Sequence, residues 1–227
     1  MKIGIMQPYL FPYLGYFKLI SKLNTFVFYD DVRFINKGWI NRNRIISSGI
    51  VKYFTIPLEG ASQNKRICDI KISNDSDWRI KLKKNIEQSY SKAENFSKVF
   101  AVIEPILFDN KVMISEMSKL SVETLSNYLE IEVNFIKSSS KYNNEFIKGQ
   151  ERIIDICRQE NASEYINLPG GQEIYSRELF CKNNIKLSFI EPKFPIYQQS
   201  VEGFVPGLSI IDVLMHNKIS SVKEMLK

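Results

Sequence analysis

Polar and aromatic side chains cluster in the first turn of this chain. An apolar run over residues 2 to 6 predicts a buried strand, and Pro8 ends it because proline cannot donate a ladder hydrogen bond. Open α/β sheets bind ligands at the carboxyl ends of their strands. We therefore expect Gln7, Tyr9 and Tyr13 to contact a substrate. The alternative is a rigid turn whose aromatic rings cap the core.

Two adjacent carboxylates lie near the end of a second strand-like run, residues 25 to 34. Asp30 and Asp31 are candidates for a general base, and the Asn41 amide is a candidate donor to a developing oxyanion. Neighbouring side chains of a strand point to opposite faces. Only one of the two carboxylates then faces a given pocket, and we predict that it is Asp31 because Tyr29 shares its face.

Two arginines, an amide and an indole follow within six residues. Arg42 and Arg44 offer planar donor forks that suit phosphate or carboxylate, and Asn43 supplies both a donor and an acceptor. Trp39 offers a ring on which a base or a sugar can stack. The segment is predicted to bind substrate. The alternative is a surface turn in which Asp and Arg side chains pair with each other.

A glycine pair follows a later strand. Gly170 and Gly171 come after Pro169, and a helix is predicted to begin near Glu173. Glycines let a backbone approach a ligand closely, and a helix N-terminus offers free N–H donors to an anion. Both glycines are therefore predicted to bind substrate through backbone N–H groups. A plain turn is the alternative, because the motif alone has low specificity.

The last motif predicts a capped helix. Ser209 is a suitable N-cap, and Asp212 at the N3 position suggests a capping box in its aspartate form. His216 is the only histidine, which excludes a cage of several histidines around a metal. A role for His216 as a catalytic base remains open, but a structural role is favoured, and no metal site is predicted.

The formal charge of +6 raises the question of nucleic-acid binding. Lysine and arginine are dispersed among acidic residues, however, and the densest group has the spacing of a solvated helix face. That group is Arg79, Lys81, Lys83 and Lys84. No nucleic-acid partner is expected, and one would reveal itself by affinity that falls steeply with salt.

No apolar stretch approaches the roughly 18 residues that a membrane span needs, and the chain opens on a strand rather than a leader. We expect a cytoplasmic protein without a membrane span. Cys68, Cys157 and Cys181 are widely spaced and odd in number, which favours neither a disulfide framework nor a zinc site. Each is predicted to be a small buried hydrophobe.

Strands and helices alternate along most of the chain. The pattern predicts one α/β domain over residues 1–227, with a mostly parallel sheet flanked by helices and a helical layer or insertion at 75–130. The strands are predicted at 2–6, 25–34, 51–58, within 65–72, at 131–137, 164–168 and 186–191. The helices are predicted at 78–90 after Asp75 or Asp77, at 97–108, 111–129, 145–160, 175–183 and after Ser209.

The motifs resemble those of the WbqC-like family of bacterial proteins. The matching stretches are QPYLFPYLGYF, DDV with GWINRNRI, YSKAENF, NLPGGQEIY and FVPGLSIIDVL. The family pattern adds Lys92 as a substrate-binding residue. In all it carries over onto Gln7, Pro8, Tyr9, Pro12, Gly15, Asp30, Asp31, Trp39, Asn41, Arg42, Asn43, Lys92, Gly170, Gly171, Ser209 and Asp212. The resemblance implies a role in O-antigen and related surface-polysaccharide biosynthesis, since members of the family are found in gene clusters for these polymers. It also implies a transferase, because a glycine-transferase role has been suggested for one member. His216-Asn217-Lys218 departs from the family pattern.

A looser resemblance concerns architecture alone. In nucleotidylyltransferases and pantothenate synthetases, as here, a first strand ends in a proline-containing turn that leads into a helix. Neither histidine of their HxGH signature is present, so a Rossmann-like fold is implied but not their phosphate chemistry.

The expected function is transfer of an acyl or aminoacyl group, such as glycyl, to a nucleotide-linked amino or uronic sugar. No tightly bound cofactor is expected, only an activated acyl or aminoacyl donor. A homodimer is left open. The alternative is a non-catalytic protein that binds a sugar nucleotide or an acyl carrier. In either case the turn after residue 6, the 30–43 segment and the glycine pair are predicted to meet in one pocket.

Overall fold

A parallel sheet of five strands forms the centre of the computed structural model, which describes residues 1–74 and 77–227. The strand order is β7-β2-β1-β8-β9, and every pairing is parallel. The strands of this sheet are β1 (Lys2–Met6), β2 (Thr25–Phe28), β7 (Asn134–Ile136), β8 (Glu164–Asn167) and β9 (Lys186–Phe189). The order reverses direction between β1 and β8, the position at which open α/β sheets hold ligands. The predicted α/β class is confirmed.

Helices cover both faces of this sheet, and four short strands form two hairpins beside it. The hairpin strands are β3 (Arg42–Ser47), β4 (Ile50–Thr55), β5 (Leu58–Glu59) and β6 (Lys71–Ile72). The helices are α1 (Leu14–Ile20), α2 (Trp78–Tyr90), α3 (Phe96–Leu107), α4 (Ile114–Tyr128), α5 (Gly149–Gln159), α6 (Arg177–Lys182), α7 (Ile210–His216) and α8 (Ile219–Met225). Short 3-10 turns occupy 67–69, 139–142 and 169–171.

Alternating side chains divide the core between the two faces of the sheet. Phe26 and Phe28 pack into the larger cluster, with α1, α4 and α7, whereas Val27 faces the smaller cluster formed with α5 and α6. This period of two is what an extended strand requires. Along β1, Gly4 leaves room for Leu23, whose Cδ1 atom would lie 2.4 Å from an added Cβ. Among the described residues, no helix is long and apolar enough to cross a membrane.

The Arg42–Ser47 segment differs most from the sequence prediction. No strand was predicted there, and a surface turn was the alternative to a substrate-binding segment, but the residues form β3, which pairs antiparallel with β4 from Arg42↔Thr55 to Ser47↔Ile50. Its buried side chains alternate with polar ones at the start of the strand, where Asn43 is buried between two half-exposed arginines. The charged residues gave this segment no alternating apolar pattern, so it was not predicted as a strand. In the structure, its polar side chains form hydrogen bonds.

Most other elements were predicted within a few residues, and the exceptions have local causes. The strand expected over 25–34 ends at Phe28, because the chain then pairs with the 65–68 segment through Cys68 N to Asp30 O and Ile67 N to Val32 O. Of the two proposed caps of α2, Asp75 lies outside the described residues, and Asp77 occupies the N-cap position without a side-chain hydrogen bond. The helix expected from Glu173 begins instead at Arg177.

The capping prediction for α7 was half right. Ser209 is the N-cap, and its Oγ accepts a hydrogen bond from Ile211 N. Asp212 does not complete a capping box, because its carboxylate accepts hydrogen bonds from Tyr90 and Tyr197 at 2.7 Å each. The backbone N–H of Ser209, which a capping box would pair with Asp212, donates instead to Arg44 O.

The cysteine prediction holds for one residue of three. Cys157 is buried, Cys68 is half-buried and Cys181 is exposed. Cys68 lies within the 3-10 turn at 67–69 and Cys181 lies within α6, both at the surface, where the apolar character of cysteine does not decide burial.

Candidate functional site

The turn after β1 is held in an unusual backbone conformation. Phe11 has φ of 43°, in the left-handed region that bulky residues rarely adopt. Its carbonyl accepts hydrogen bonds from Asn43 Nδ2 (2.7 Å) and Ser209 Oγ (2.8 Å), while its N–H donates to Ser121 Oγ (3.1 Å). Three distant segments therefore fix this one peptide. Backbone strain that is held by hydrogen bonds from surrounding segments is typical of functional turns.

An open cavity of about 180 Å³ lies between this turn and β3. We call it the aromatic cavity. Its lining consists of Tyr9, Pro12, Tyr13, Trp39, Asn43, Arg44, Phe194 and Gly207. Five of the ten residues predicted to bind substrate thus share one cavity.

The aromatic rings of this cavity are positioned by packing. The Tyr9 ring lies 5.5 Å from that of Tyr16, and the Tyr13 ring lies 5.9 Å from that of Phe194. A Cβ at Gly15 would lie 2.4 Å from the Tyr13 ring, so the glycine is needed for this position. Trp39 stacks on Tyr53 at 6.3 Å with an interplanar angle of 22°.

Burial keeps the two tyrosines of the aromatic cavity protonated. It raises the pKa of Tyr9, and burial together with the neighbouring Tyr9 raises the pKa of Tyr13 to about 12. Within the described chain neither hydroxyl has a hydrogen-bond partner. At neutral pH both are therefore available as neutral donors to a carbonyl, hydroxyl or phosphate oxygen.

The two predicted arginines have different surroundings. Arg42 donates from Nε to Gly38 O at 3.2 Å and from Nη2 to Lys37 O, and its Cζ lies 4.7 Å from the centre of the Tyr53 ring. Arg44 lines the aromatic cavity, with Cζ 5.6 Å from the Trp39 ring. Its Nη2 donates to the carbonyls of Pro206 and Gly207, but its buried Nε lacks a partner in the part of the chain described. Of the two arginines, only Arg44 lines the aromatic cavity.

The two aspartates are buried and fully engaged. Asp30 accepts hydrogen bonds from Lys119 Nζ (2.5 Å) and Ser138 Oγ (2.6 Å). Asp31 accepts them from Arg152 Nη2 and Ser139 Oγ, both at 2.5 Å, and its side chain is 1% exposed. As predicted, the pair points to opposite faces of the sheet, toward α4 and α5.

Asp31 borders a second cavity, of about 510 Å³, at the carboxyl end of β2 and the start of α5. We call it the cationic cavity because Arg33, Arg66, Lys148 and Arg152 line it. Burial lowers the pKa of Arg152, but the hydrogen bond to Asp31 and nearby charges outweigh burial, so the net shift is upward. The Asp31–Arg152 pair is thus a buried ion pair in the wall of the cationic cavity.

The remaining predicted residues have mainly structural contacts. Asn41 is buried and donates from Nδ2 to Ile56 O at 2.8 Å. Gly171 is buried, and a Cβ there would lie 2.8 Å from both Asn167 Nδ2 and Tyr175 Cε2, whereas Gly170 has open space around it. Lys92 is exposed beyond α2. Gln7 is half-buried and accepts from the Tyr16 hydroxyl through its backbone carbonyl.

The single pocket expected from the sequence is therefore divided. The first turn and the 39–44 segment meet at the aromatic cavity, Asp31 lies at the cationic cavity, and Gly170 and Gly171 line neither. The separation arises because β3 carries the arginines away from the end of β2. Sequence reasoning missed Phe194, and it missed Arg152, Ser138 and Ser139 as aspartate partners. The two serines directly follow a predicted strand, which is the signal that was available.

Among the described residues, no group of three or more His, Cys, Asp or Glu side chains has an arrangement that could hold a metal ion.

Comparison with known proteins gives the chain a family. The sequence profile of the WbqC-like protein family matches residues 7–224, which include both cavities. The chain belongs to the WbqC-like protein family. It is also similar to the uncharacterized protein Rv1507c of Mycobacterium tuberculosis (strain ATCC 25618 / H37Rv), with 26% identity over 218 residues, covering 95% of this chain and 93% of that protein. No solved structure matches.

Proposed function

We propose that this WbqC-like protein transfers an acyl or aminoacyl group, such as glycyl, to a nucleotide-linked amino or uronic sugar. In this proposal it acts in the cytoplasm in the biosynthesis of O-antigen, the outer part of lipopolysaccharide, or of a related surface polysaccharide. The observation that carries the proposal is the aromatic cavity, where Tyr9, Tyr13, Trp39 and Arg44 come together.

The chemistry of this cavity suits a sugar nucleotide. Aromatic faces pack against the C–H face of a sugar or against a base. A guanidinium beside them binds a phosphate or a carboxylate through paired N–H donors, and the Arg44 side chain lines the cavity. The Tyr9 and Tyr13 hydroxyls supply neutral donors to sugar oxygens.

Acyl transfer to an amine also requires a proton acceptor and donors to the oxyanion. Asp31 is a weak candidate for the acceptor, since both of its oxygens are already bound by Arg152 and Ser139. Asn41 is a weak candidate for the donor, since its amide binds Ile56 O. The Tyr9 and Tyr13 hydroxyls are better placed as donors. The cationic cavity offers a separate place for the phosphate or carboxylate of the donor substrate.

Ligand-dependent melting tests the binding step. A nucleotide-linked amino or uronic sugar present at 100 times its Kd should stabilise the native state by about 2.7 kcal/mol. Trp39→Ala should remove most of this stabilisation while the free protein still folds. Val51→Ala, an exposed change on the neighbouring strand β4 that lines neither cavity, is the matched control. A panel in which no sugar nucleotide raises the melting temperature would contradict the proposal.

Product analysis tests the transfer step. Protein, sugar nucleotide and an activated acyl or glycyl donor are incubated together, and the sugar nucleotide is examined by mass spectrometry for one added acyl group. Tyr13→Phe keeps the ring and removes the hydroxyl, so it should lower the transfer rate more than it lowers binding affinity.

The engaged carboxylates favour one other function. A protein that binds a sugar nucleotide for a partner enzyme needs no free base, and both aspartates have the partners expected of structural residues. This non-catalytic alternative predicts stabilisation by a sugar nucleotide without any acylated product.

A further inference from the structure

Ser200 and His216 form a hydrogen-bonded pair that neither cavity includes. Ser200 Oγ lies 3.0 Å from His216 Nε2. Ser200 is exposed, and the His216 side chain is 13% exposed. A hydroxyl within reach of an imidazole that a third group orients is the arrangement that activates a serine nucleophile.

The third group is Asp212, one helical turn before His216 on α7. His216 Nδ1 lies 2.9 Å from Asp212 O. A carbonyl can only accept a hydrogen bond, so Nδ1 carries a proton, and in the neutral form of the ring Nε2 is then the acceptor. In that form Ser200 donates its hydroxyl proton to Nε2, which is the direction of proton transfer that activates a serine.

A rigid environment fixes the imidazole. Asp212 Oδ1 lies 3.7 Å from His216 Nδ1, and this carboxylate is fully buried. The Tyr90 and Tyr197 hydroxyls bind the carboxylate, and their rings lie 5.6 Å and 6.3 Å from the imidazole. A negative charge at this distance stabilises the imidazolium that forms when Nε2 takes a proton.

The loop that carries Ser200 also leads to the aromatic cavity. The Gln199 side chain donates to Val205 O at 3.0 Å and accepts from Val205 N at 2.8 Å, which closes the loop beside Ser200. The two flanks of this loop supply Phe194 and Gly207 to the aromatic cavity. The chain on either side of Ser200 therefore leads to a residue that lines the cavity assigned to the sugar.

We infer that Ser200 is a nucleophile that carries the acyl group during transfer, with His216 as its general base. This inference rests on the proposed function for the destination of the acyl group. Ser200 Oγ attacks the carbonyl carbon of an activated thioester or acyl phosphate while its proton passes to His216 Nε2. The bond to the thiolate or phosphate breaks, the leaving group departs with that proton, and an ester remains on Ser200.

The second half of the reaction restores the enzyme. The amine of the sugar attacks the ester carbonyl, and His216 Nε2 takes a proton from the nitrogen. The ester bond breaks and Nε2 returns the proton to Ser200 Oγ. An amide on the sugar and a free serine result, and no further reactant is needed.

A fluorophosphonate probe tests this reactivity directly, because it modifies activated serines. Peptide mapping should place the modification on Ser200. Ser200→Ala should abolish it, and His216→Gln, which keeps a hydrogen-bonding side chain without a basic nitrogen, should slow it about 100-fold. Ser221→Ala, which alters an exposed serine on α8, is the matched control and should react as the unaltered protein does.

The outcomes separate this inference from the proposed function. Modification of Ser200 that depends on His216 supports the nucleophile even if no sugar nucleotide is acylated, in which case only the proposed function fails. An unmodified Ser200, or equal rates with and without His216, overturns the nucleophile. Unchanged acylation of a sugar nucleotide by Ser200→Ala would overturn it too, and would leave the proposed function intact.

Discussion

The acidic pair and the turn that lines the aromatic cavity follow neighbouring strands of the sheet, but they differ in hydrogen bonding. The polar atoms of the acidic pair have partners, whereas several of those in the aromatic cavity have none in the described part of the chain. Asp30 and Asp31 accept hydrogen bonds from one cation and one serine each. In the aromatic cavity, the Tyr9 and Tyr13 hydroxyls and Arg44 Nε have no partner in the described residues. The residue type alone favoured the aspartates for chemistry, but the partners supplied by distant segments favour the cavity as the place where a ligand binds.

The largest effect should come from Asp31→Asn. The change leaves the buried Arg152 guanidinium without its counter-charge, so the free energy of unfolding should fall by about 3–5 kcal/mol. Asp69→Asn alters the exposed pair of Arg66 and Asp69, whose side chains are 52% and 45% exposed, and should cost about 0–1 kcal/mol. Urea denaturation measures both. An Asp31→Asn protein of normal stability without transferase activity would return Asp31 to the role of base.

Gly171 and Gly170 should also differ in how much their replacement by alanine lowers stability. Gly171→Ala should lower the free energy of unfolding by about 1–3 kcal/mol, because its new Cβ would meet Asn167 and Tyr175 at 2.8 Å. Gly170→Ala adds a methyl group to open space and should change stability little. Thermal melting of the two variants gives the comparison. If instead Gly170→Ala alone weakened the binding of a sugar nucleotide, the glycine turn would be part of the site.

Replacing each arginine by lysine should separate Arg44 from Arg42. Arg44→Lys keeps the charge but loses the planar fork, and should weaken sugar-nucleotide binding about tenfold. Arg42→Lys should leave affinity unchanged, since its donors serve the carbonyls of Lys37 and Gly38. Calorimetric titration measures both affinities. The reverse ranking would show that the binding site includes the loop at 37–38 and not the aromatic cavity.

The smallest effect concerns Cys68, which reports on charge near the acidic pair. Burial, followed by the charges of Asp30 and Asp69, raises the pKa of its thiol to about 11. Alkylation of Cys68 should therefore rise about tenfold per pH unit from pH 8 to 10, as thiolate forms. Asp69→Asn removes one of these charges and should speed the reaction at pH 8. Exposed Cys181 serves as the internal reference, and a Cys68 rate independent of pH would contradict the assigned charges.

Hydrophobic periodicity predicted most of the fold, because strands such as Thr25–Phe28 and helices such as Ile114–Tyr128 are defined by local apolar patterns. Arg42–Ser47 could not be recognised as a strand, since Asn43 and Arg44 form hydrogen bonds with residues distant in sequence. The same limit applies to the site. Local sequence suggested Tyr9, Tyr13, Trp39 and Arg44 as site residues. Only the tertiary structure shows that Arg152 and Ser139 donate hydrogen bonds to both carboxylate oxygens of Asp31.

The hydrogen bond between Ser209 Oγ and Phe11 O joins residues 198 positions apart. Ile210 N also donates to Pro12 O, and β8 completes the pairing of β1. During synthesis on the ribosome, the turn at Phe11 therefore cannot reach its final conformation until the segment 198 positions later has been made. Contacts of such long sequence separation slow folding. A nascent chain cut short before Ser209 would hold all five strands of the sheet but lack the hydrogen bonds of Ser209 and Ile210 to the first turn, so the conformation of that turn depends on the last helices.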